Sequence, residues 1–461
     1  MNSLWDSVAH SGAPNAAEFH GRNVGIALKE LSRASMLGTN PESLRGRSVM
    51  IATREQLLAA VCLIELDGVA RRLILCPPYL AEEQLCAVAH RAGADAVVVE
   101  AGPSPWTLSG TTTHAMTPTP IPGQVRRHAS EATDWVLLTS GTTGAPKLVV
   151  HTLQSLAGAL PRESPPVTRT VWSTFYDIRH YGGLQIYLRA VLSGSKLVLS
   201  SRGESTGEFL TRAAAAGVTH VSGTPSHWRL ALMSAEAAQL DPEYIRLSGE
   251  VADQAVLDKL RAVFPNARIA HAFASTEAGL AFDVDDGLAG FPAEFIGKRA
   301  GALDLKVEDG TLRIRSPGNA AGYLGNGLTA VVGADGYVDT YDLVERVEGR
   351  YYFRGRKDGV INVGGSKVFP EEVESVLNAD PRVRWSRVSA RPNLLTGSVV
   401  VADVVLIDAP TPVDLENTQS VKTDLLNACR RTLQPYKVPA ILRIVPALEL
   451  TAAGKLGRSS A

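Results

Sequence analysis

Short apolar runs alternate with helix-like segments between residues 47 and 100, and this alternation limits the possible fold more than any other feature of the chain. Residues 48–52, 73–76 and 96–99 are apolar enough to be buried strands, and residues 54–66 and 81–92 between them carry helical periodicity. Strands that alternate with helices in this way are typical of a parallel α/β sheet.

The later parts of the chain extend this pattern and then change character. We predict further strands near residues 135–139, 170–174, 196–199, 218–221 and 268–272, and a loop over residues 102–130, which are rich in Pro, Thr, Ser and Gly. Residues 290–356 contain short strand-like runs broken by Gly, Asn and Pro, as in a small barrel or twisted sheet. After Arg356, an acidic helix start at 370–372 and a strand at 398–406 predict a separate α+β domain.

We therefore expect an α/β fold in two domains. Residues 1–356 would form a large N-terminal domain of α/β subdomains with a small β-barrel-like part, and residues 357–461 a small mobile α+β C-terminal domain. A chain of 461 residues is too long for one ordinary core, which agrees with two domains.

Composition excludes several classes of protein. Lys and Arg number 46 and Asp and Glu 47, a balance that argues against a nucleic-acid binder. No apolar run reaches the length of about 18 residues that a membrane span needs, and the first residues lack a signal pattern. The four cysteines form no C-x-x-C pair, so we expect thiols in a reducing compartment and a cytoplasmic protein.

The sharpest local signal is an apolar strand that runs into the segment T-S-G-T-T-G-A-P-K, which ends at Lys147. Glycines allow backbone N–H groups to turn toward an anion, hydroxyls of Ser140, Thr142 and Thr143 add donors, and Lys147 adds a positive charge. A surface turn rich in Ser, Thr and Gly is the alternative interpretation of this loop alone. The segment differs from G-x-x-x-x-G-K-[ST], because two residues separate Gly144 from Lys147, which counts against kinases and GTPases.

This loop resembles the [ST]-S-G-[ST]-T-G-x-P-K signature of the acyl-adenylate-forming superfamily, which includes acyl-CoA synthetases, adenylation domains of peptide synthetases, and luciferases. Other motifs of the superfamily follow in the same order. Residues 247–251 resemble the G-G-E-P turn, 273–277 resemble Y-G-x-T-E, 335–342 resemble D-G-W-x-x-T-G-D, 353–365 resemble G-R-x-D-D-x-I-K-x-x-G, and 450–455 resemble P-x-T-x-x-G-K.

The resemblance implies a set of ATP-binding residues. In that set Phe273 packs against adenine and Asp342 accepts the ribose hydroxyls, while Thr276 reaches the α-phosphate and Glu277 holds Mg²⁺, a cation that prefers oxygen ligands. A glutamate at a strand end is otherwise more often merely solvated. The full set of predicted ATP-binding residues is Thr139, Ser140, Gly141, Thr142, Thr143, Gly144, Lys147, Gly249, Glu250, Phe273, Asp342 and Arg356.

The resemblance also assigns residues to the C-terminal domain and to catalysis. Lys455 would be the catalytic lysine, together with Thr276 and Glu277, although a lone lysine is more often solvated. A cation between the substrate carboxylate and the α-phosphate would stabilise the transition state electrostatically. Asp358 would be the hinge between the domains, and Gly364 and Gly365 would face the CoA channel.

The substrate-binding residues implied by the resemblance begin with His180. Residues 179–184 resemble F-H-x-x-G-L, in which the aromatic residue gates the acid, although a histidine packed in the core would give the same local sequence. Thr224, Trp228, Ala272 and Ala274 would line the pocket, and the two alanines would narrow it. We therefore favour an aryl or short acid over a long fatty acid.

Together these motifs predict ATP-dependent activation of a carboxylic acid to acyl-AMP with release of pyrophosphate, then transfer to CoA. ATP, Mg²⁺ and CoA are the expected cofactors and co-substrate, and a carrier protein, an amine or another nucleophile remains an alternative acceptor. A phosphotransferase would instead release ADP. A non-catalytic nucleotide-binding scaffold would be expected to have lost Lys455 or Glu277. Two departures from the family pattern are Tyr341 in place of glycine and Phe273 in place of tyrosine.

Overall fold

A computed structural model describes residues 3–10, 17–102, 108, 110–123, 130–139, 146–158, 160, 169–298, 302–325, 327–357, 359–394, 396–407 and 415–451. Its α-helices are α1 Leu4–His10, α2 Gln56–Leu66, α3 Glu82–Ala92, α4 Leu153–Ala157, α5 Tyr181–Ser193, α6 Thr206–Ala215, α7 Pro225–Ala231, α8 Gln254–Val263, α9 Pro370–Asn378 and α10 Leu415–Thr432.

The strands in the first half of the chain are β1 Glu18–His20, β2 Gly25–Ala27, β3 Ala34–Leu37, β4 Ser48–Ile51, β5 Arg72–Leu75, β6 Ala96–Glu100, β7 Thr112–Pro122, β8 Asp134–Thr139, β9 Lys147–Thr152, β10 Val171–Thr174, β11 Lys196–Leu199, β12 His220–Gly223 and β13 Tyr244–Ser248. The later strands are β14 Arg268–Ser275, β15 Gly279–Val284, β16 Phe291–Pro292, β17 Asp304–Glu308, β18 Thr311–Arg315, β19 Gly322–Gly325, β20 Gly327–Thr329, β21 Val338–Val347, β22 Arg350–Arg356, β23 Ile361–Val363, β24 Ser366–Val368, β25 Val383–Asn393, β26 Gly397–Leu406 and β27 Ile441–Ile444.

Two large mixed sheets form most of the molecule. The nine-stranded sheet has the order β20-β19-β9-β8-β5-β4-β6-β7-β3, and the eight-stranded sheet has the order β15-β14-β13-β12-β10-β11-β1-β2. Strands β8, β5, β4, β6 and β7 are mutually parallel in the first, and β14, β13, β12, β10, β11 and β1 in the second. Antiparallel strands lie at the edges of both sheets, and the predicted α/β fold is confirmed.

Helices α2 and α5 join the two sheets. Every residue of α2 is buried, as is most of α5, and one apolar cluster contains side chains from both helices and from strands of both sheets. A helix that is apolar on all sides must be covered on all sides. The two helices therefore lie in the core between the sheets and not on the surface.

Polar contacts also connect the loops of the two sheets. Gln56, at the start of α2, accepts a hydrogen bond from Ile178 N at 2.8 Å and donates one to Ser200 O at 2.9 Å. Ile178 follows β10 and Ser200 follows β11, while Gln56 follows β4. The loops after the carboxyl ends of these parallel strands therefore meet, and in open α/β sheets ligands bind at such ends.

The region predicted as a small barrel or twisted sheet forms a five-stranded antiparallel sheet of order β16-β22-β21-β18-β17. Part of the region lies elsewhere, because β19 pairs antiparallel with β9 and extends the nine-stranded sheet together with β20. The prediction that residues 102–130 form a loop was wrong over β7, which lies between β6 and β3.

The C-terminal region has a core of its own. Strands β25, β26 and β27 form a three-stranded sheet, and an apolar cluster extends from Ile361 to Leu442. The predicted helix start at Pro370 and the predicted strand over 398–406 correspond to α9 and β26. Asn378 Nδ2 lies 3.4 Å from Asp253 Oδ2, so α9 approaches the loop before α8.

Candidate active site

The carboxyl ends of β12, β13 and β14 lie side by side at one edge of the eight-stranded sheet. The strands are parallel and in register, with Ser248 opposite Ala272. Thr224 and Gly249 directly follow β12 and β13, and Phe273 lies two residues before the end of β14; the three were predicted from separate motifs. Parallel pairing thus brings distant parts of the sequence to one edge, the usual place for a ligand in this kind of sheet.

The predicted phosphate loop connects two antiparallel neighbours, β8 and β9. Thr139 ends the first strand and Lys147 begins the second, and the two residues are cross-strand partners. Lys147 Nζ lies 5.2 Å from the centre of the Tyr323 ring. The loop residues predicted to bind phosphate lie outside the described residues: Ser140, Gly141, Thr142, Thr143 and Gly144.

Tyr323 connects the phosphate-loop strand to Glu277. Its hydroxyl donates to Glu277 Oε1 at 3.1 Å, and Tyr323 lies on β19 opposite Val149 of β9. Burial, together with the negative charge of Glu277, raises the pKa of Tyr323, so the hydroxyl keeps its proton and acts as a donor. Lys147, Tyr323 and Glu277 therefore form one contact series between the predicted phosphate and magnesium residues.

Sequence analysis did not identify Tyr323. The residue follows a glycine in a stretch that was predicted to belong to the small sheet. Only the pairing of β19 with β9 places its side chain between Lys147 and Glu277, and no local pattern in the sequence indicates that pairing.

The main chain of Thr276 is held by His151, which the sequence analysis also missed. His151 Nε2 lies 2.7 Å from the Thr276 carbonyl oxygen, and the histidine has no exposed surface. Burial lowers the pKa of His151 to about 4, which keeps the ring neutral near pH 7. Thr276 and Glu277 are thus both held to the nine-stranded sheet, one through its carbonyl and the other through its carboxylate.

Phe273, predicted to pack against adenine, lies in an aromatic cluster. Its ring is stacked on that of Phe353, with centroids 4.8 Å apart and an interplanar angle of 10°, and on Phe282 at 5.9 Å. Phe353 therefore covers one face of Phe273, and its contact with adenine stays a prediction.

The turn after β13 contains Gly249 and Glu250. Gly249 has φ of +82°, a left-handed conformation that favours glycine. Glu250 Oε2 accepts a hydrogen bond from Ser226 N at 3.0 Å, in the first turn of α7, where a negative charge is favourable. Glu250 thus fixes the position of α7 relative to the turn.

Two of the predicted acid-pocket residues lie on α7 or at its start, and the structure separates their roles. Thr224 caps the helix, since its Oγ1 accepts from His227 N at 2.9 Å and its own N–H donates to His227 Nδ1 at 3.1 Å. Trp228 is fully buried, and its ring lies edge-on to Phe175 at 5.3 Å and Phe264 at 6.1 Å. The indole therefore packs in the core beside Phe264, which follows α8, and its contact with an acid stays a prediction.

The predicted gate, His180, contacts Tyr79. The Tyr79 hydroxyl and His180 Nε2 lie 3.2 Å apart, and the two rings are stacked with an interplanar angle of 16°. Just before it, the fully buried Arg179 pairs with Asp177 and donates to the Thr53 carbonyl. Burial, with the charge of Asp177, raises the pKa of Tyr79 to about 12. His180 therefore lies where a loop of the nine-stranded sheet meets the start of α5.

Tyr176 occupies the space between α5 and the ends of the central strands. Its ring carbon lies 3.3 Å from the position of a Cβ on Gly182, and its hydroxyl donates to the Ser248 carbonyl. Ser248 is the strand neighbour of Ala272, which is nearly buried, and Ala274 follows on the same face of β14. Sequence analysis did not single out Tyr176, which lies between Gly182 of α5 and Ser248, the strand neighbour of Ala272.

Asp342 and Arg356, predicted to contact the nucleotide, are cross-strand partners on β21 and β22. Asp342 N donates to Thr340 Oγ1 at 3.1 Å. Tyr341, which lies between Thr340 and Asp342 in the chain, has φ of +59°, and Lys357 N donates to its carbonyl oxygen at 2.8 Å. The glycine expected at position 341 has been replaced by tyrosine while the left-handed backbone is kept, a conformation uncommon for an aromatic residue.

Gly364 and Gly365 form the turn of the β23–β24 hairpin, with φ of +58° and +87°. Gly364 N donates to Thr396 O at 2.8 Å, so the turn lies beside the β25–β26 hairpin. Predicted hinge residue Asp358 and predicted catalytic residue Lys455 lie outside the described residues.

Comparison with known protein families agrees with the order of these motifs. A family model described as AMP-binding enzyme matches residues 60–324, more than half of the chain, and one described as the AMP-binding enzyme C-terminal domain matches residues 372–455. The chain belongs to the AMP-binding enzyme family. Within this family member, the first match contains the phosphate loop and Glu277, and the second ends at Lys455.

Curated relatives of this AMP-binding enzyme differ in the acceptor that their names give. It is 29% identical over 356 residues to the medium/long-chain-fatty-acid–[acyl-carrier-protein] ligase FadD10 of Mycobacterium tuberculosis, a match that covers 70% of this chain and 65% of that ligase. It is 27% identical over 337 residues to a 2-succinylbenzoate–CoA ligase of Listeria monocytogenes, covering 70% of this chain and 68% of the relative.

Solved structures share the fold at low sequence identity. A variant of E. coli MenE with bound OSB-AMS superposes with a TM-score of 0.77 at 19% identity, covering 96% of this chain and 95% of MenE. The anthranilate CoA ligase AuaEII in complex with anthranoyl-AMP gives a TM-score of 0.78 at 17% identity, with 99% and 95% covered. These neighbours agree with the α/β fold and the small C-terminal domain described above.

The described ranges contain neither a membrane-spanning helix nor a cluster of metal-binding side chains. No helix there is long and apolar enough to cross a bilayer. No group of three or more His, Cys, Asp and Glu side chains in the same ranges is placed to hold a metal ion.

The half-buried His227, which caps α7 together with Thr224, generates a prediction about pH. Burial lowers the pKa of the His227 ring to about 4 from its ordinary value of 6.5. As the pH falls, the ring is therefore protonated in the unfolded chain before it is protonated in the folded one. The contribution of the neutral His227 ring to the free energy of unfolding is therefore complete above pH 6.5 and is lost as the pH falls toward 4. His227→Asn keeps an acceptor for Thr224 N but removes the titration. Between about pH 7 and 4.5, we expect the free energy of unfolding to fall by about 2 kcal/mol more in wild type than in the variant, measured by urea denaturation. Equal pH dependence in the two proteins would contradict this assignment.

Proposed function

We propose that this AMP-binding enzyme activates a carboxylic acid with ATP to give acyl-AMP and pyrophosphate, and then transfers the acyl group to CoA. The observation that carries the proposal is the contact series Lys147–Tyr323–Glu277, which joins the end of the phosphate loop to the carboxylate at the end of β14. A cation over the ring of one tyrosine and a carboxylate at its hydroxyl suit the phosphates and the metal of a bound nucleotide.

Mg²⁺ has a plausible ligand in Glu277. Its Oε1 accepts from Tyr323, which orients the carboxylate without neutralising it. Mg²⁺ usually takes one or two carboxylates together with phosphate oxygens and water, so a single glutamate at a strand end fits this ion. The metal would neutralise phosphate charge, while Lys147 and the loop of Ser140, Thr142 and Thr143 would position the phosphates.

Lys455 is the proposed catalytic cation. The substrate carboxylate is already ionised near pH 7, so the barrier is the approach of two anions and not a proton transfer. A lysine between the carboxylate and the α-phosphate stabilises the additional charge of the transition state. Thr276, whose main chain is held by His151, is the proposed contact to the α-phosphate.

We also propose a domain boundary at residues 356 and 357, with Asp358 as the hinge. The separate apolar cluster from Ile361 to Leu442 supports a C-terminal unit that keeps its core when it rotates. Gly364 and Gly365 would then face the acceptor thiol in one orientation, and Lys455 would face the acid in the other.

CoA is the proposed acceptor, with a carrier protein, an amine or another nucleophile as the alternative. Relatives named as CoA ligases and as acyl-carrier-protein ligases both match about 70% of this chain. Solved neighbours of the fold include CoA ligases. Parallel assays with CoA and with an acyl-carrier protein would distinguish these acceptors.

The proposed acid is aryl or short. Tyr176 is 5% exposed and lies between Gly182 of α5 and Ser248 of β13, which is the strand neighbour of Ala272. A ring in this position would limit the length of an acyl chain that enters between the helix and the sheet.

The reaction type is tested by product analysis. With Mg²⁺, ATP, an acid and CoA, we expect AMP and pyrophosphate to form in equal amounts and only when the acid is present, because the carboxylate attacks the α-phosphate to release pyrophosphate and the thiol then displaces AMP. Chromatographic separation of nucleotides gives the measurement. ADP as the main product would contradict the proposal and favour a phosphotransferase.

A second prediction separates the two half-reactions. Lys455→Ala should slow acyl-AMP formation by roughly 10²–10³-fold, the scale for losing one group that stabilises transition-state charge. The same variant given synthetic acyl-AMP and CoA should still form thioester at a substantial rate. Asp358→Pro should show the opposite pattern, because a proline ring restricts the φ rotation of the hinge. Equal loss of both half-reactions in folded Lys455→Ala would contradict the two-orientation mechanism.

A third prediction concerns acid size. Wild type should have a higher kcat/KM for aryl or short acids than for C16 acids, and Tyr176→Ala should shift this ratio toward longer acids by about tenfold or more, since pocket contacts of this kind discriminate on that scale. Tyr176→Phe is the matched control, because it keeps the ring and loses only the hydrogen bond to Ser248. An unchanged preference in a folded Tyr176→Ala protein would show that Tyr176 does not limit the pocket.

A further inference from the structure

His151 is a fully buried histidine whose two ring nitrogens have different partners. Nε2 lies 2.7 Å from the carbonyl oxygen of Thr276, and a carbonyl only accepts, so Nε2 carries the proton. Nδ1 lies 2.9 Å from Ser155 Oγ and can only accept from that hydroxyl, whose single proton is shared with the Thr152 carbonyl oxygen at 3.0 Å. Burial keeps the pKa of the ring at about 4, so the ring is neutral and its hydrogen-bond donor and acceptor are both used.

The Ser155 side of this arrangement is rigid. Ser155 and Thr152 cap the short helix α4 reciprocally, with Thr152 N donating to Ser155 Oγ at 3.0 Å and Ser155 N donating to Thr152 Oγ1 at 3.1 Å. The His151 ring also packs at 5.9 Å from the ring of Tyr181, at the start of α5. The imidazole is therefore held by Ser155 and by Tyr181 in addition to its hydrogen bond with Thr276.

The hydrogen bond to Thr276 connects the two large sheets. His151 lies on β9, four residues after Lys147, and Thr276 directly follows β14 of the eight-stranded sheet. Two further contacts hold the next residue, since Tyr323 donates to the Glu277 carboxylate and Ala320 N donates to the Glu277 carbonyl at 2.9 Å. Of these contacts, the one from His151 comes from the phosphate-loop strand itself.

We propose that His151 is a positioning residue for Mg·ATP. Through the Thr276 carbonyl it sets the distance between the phosphate-loop strand and the segment Thr276–Glu277. The phosphate loop and the Glu277 carboxylate can then bind the same nucleotide. This inference rests on the proposed function, since it assumes that the phosphate loop and Glu277 serve one ATP.

Two amide variants, each of which reproduces the position of one ring nitrogen, separate this role from a contribution to stability alone. The amide nitrogen of glutamine reaches about as far as His Nε2, so His151→Gln keeps a donor for Thr276. The amide of asparagine lies near the position of Nδ1, so His151→Asn keeps a partner for Ser155 and loses the one for Thr276. Each variant loses one buried hydrogen bond, and we expect similar losses in thermal stability.

The two variants should differ in their use of nucleotide. His151→Asn should lower kcat/KM for Mg·ATP by roughly tenfold, the scale for one buried hydrogen bond, and should raise the Mg²⁺ concentration for half-maximal rate, with KM for the acid unchanged. His151→Gln should stay within about threefold of wild type in each quantity. Ser155→Ala removes the partner of Nδ1 and the Ser155 half of the α4 cap but leaves the hydrogen bond to Thr276, so it should lose stability without the change in Mg·ATP use.

Equilibrium binding of Mg·ATP without acid keeps this test independent of the reaction. We expect binding to be weaker in His151→Asn than in His151→Gln. Equal binding and equal kcat/KM in the two variants would overturn the role of His151. A wild type that binds Mg·ATP but releases no pyrophosphate with any acid would overturn the proposed function, while the comparison of binding would still decide the role of His151. A wild type that does not bind Mg·ATP would overturn both.

Discussion

The packing of α2 and α5 between the two large sheets is the contact on which the rest of the structure depends. All residues of α2 are buried and the surrounding cluster contains side chains of both sheets. Apolar burial on this scale is the main favourable term in folding, and it has no preferred direction. Direction comes from polar contacts such as those of Gln56, which align the loop after β4 with the loops after β10 and β11.

Once the sheets are aligned, the candidate site can draw residues from both. The nine-stranded sheet supplies Lys147 and Tyr323, and the eight-stranded sheet supplies Glu277 at the end of β14. The hydrogen bond from Tyr323 to Glu277 joins the two sets, and the fully buried His151 adds a hydrogen bond to the Thr276 carbonyl. In a site of low dielectric such contacts are stronger than in water, and losing one partner leaves the other unsatisfied. The position of Glu277 is thus a property of the interface between the sheets.

Several parts of the fold could be predicted from local sequence because their pattern is unambiguous. Strands β4, β5, β6, β8 and β11 are short apolar runs, and helices α2 and α3 begin within two residues of the predicted positions. Strand β7 was missed because T-T-H-A-M-T-P-T-P-I-P contains three polar threonines before its prolines, a composition typical of loops. Its neighbours β6 and β3 supply the hydrogen bonds that make it a strand.

The sequence by itself determined the family, the order of the motifs and the residue types of the nucleotide site, because glycines, hydroxyls, a lysine and a carboxylate at set spacings are demanded by the chemistry they serve. Only the tertiary structure decided which side chains support them. Trp228 is turned into the core by its helix, whereas Tyr176, Tyr323 and His151 are brought to the site by strand pairing and by helix packing. The physical reason is that these supporting contacts join residues more than 45 positions apart in the chain, so no local periodicity can reveal them.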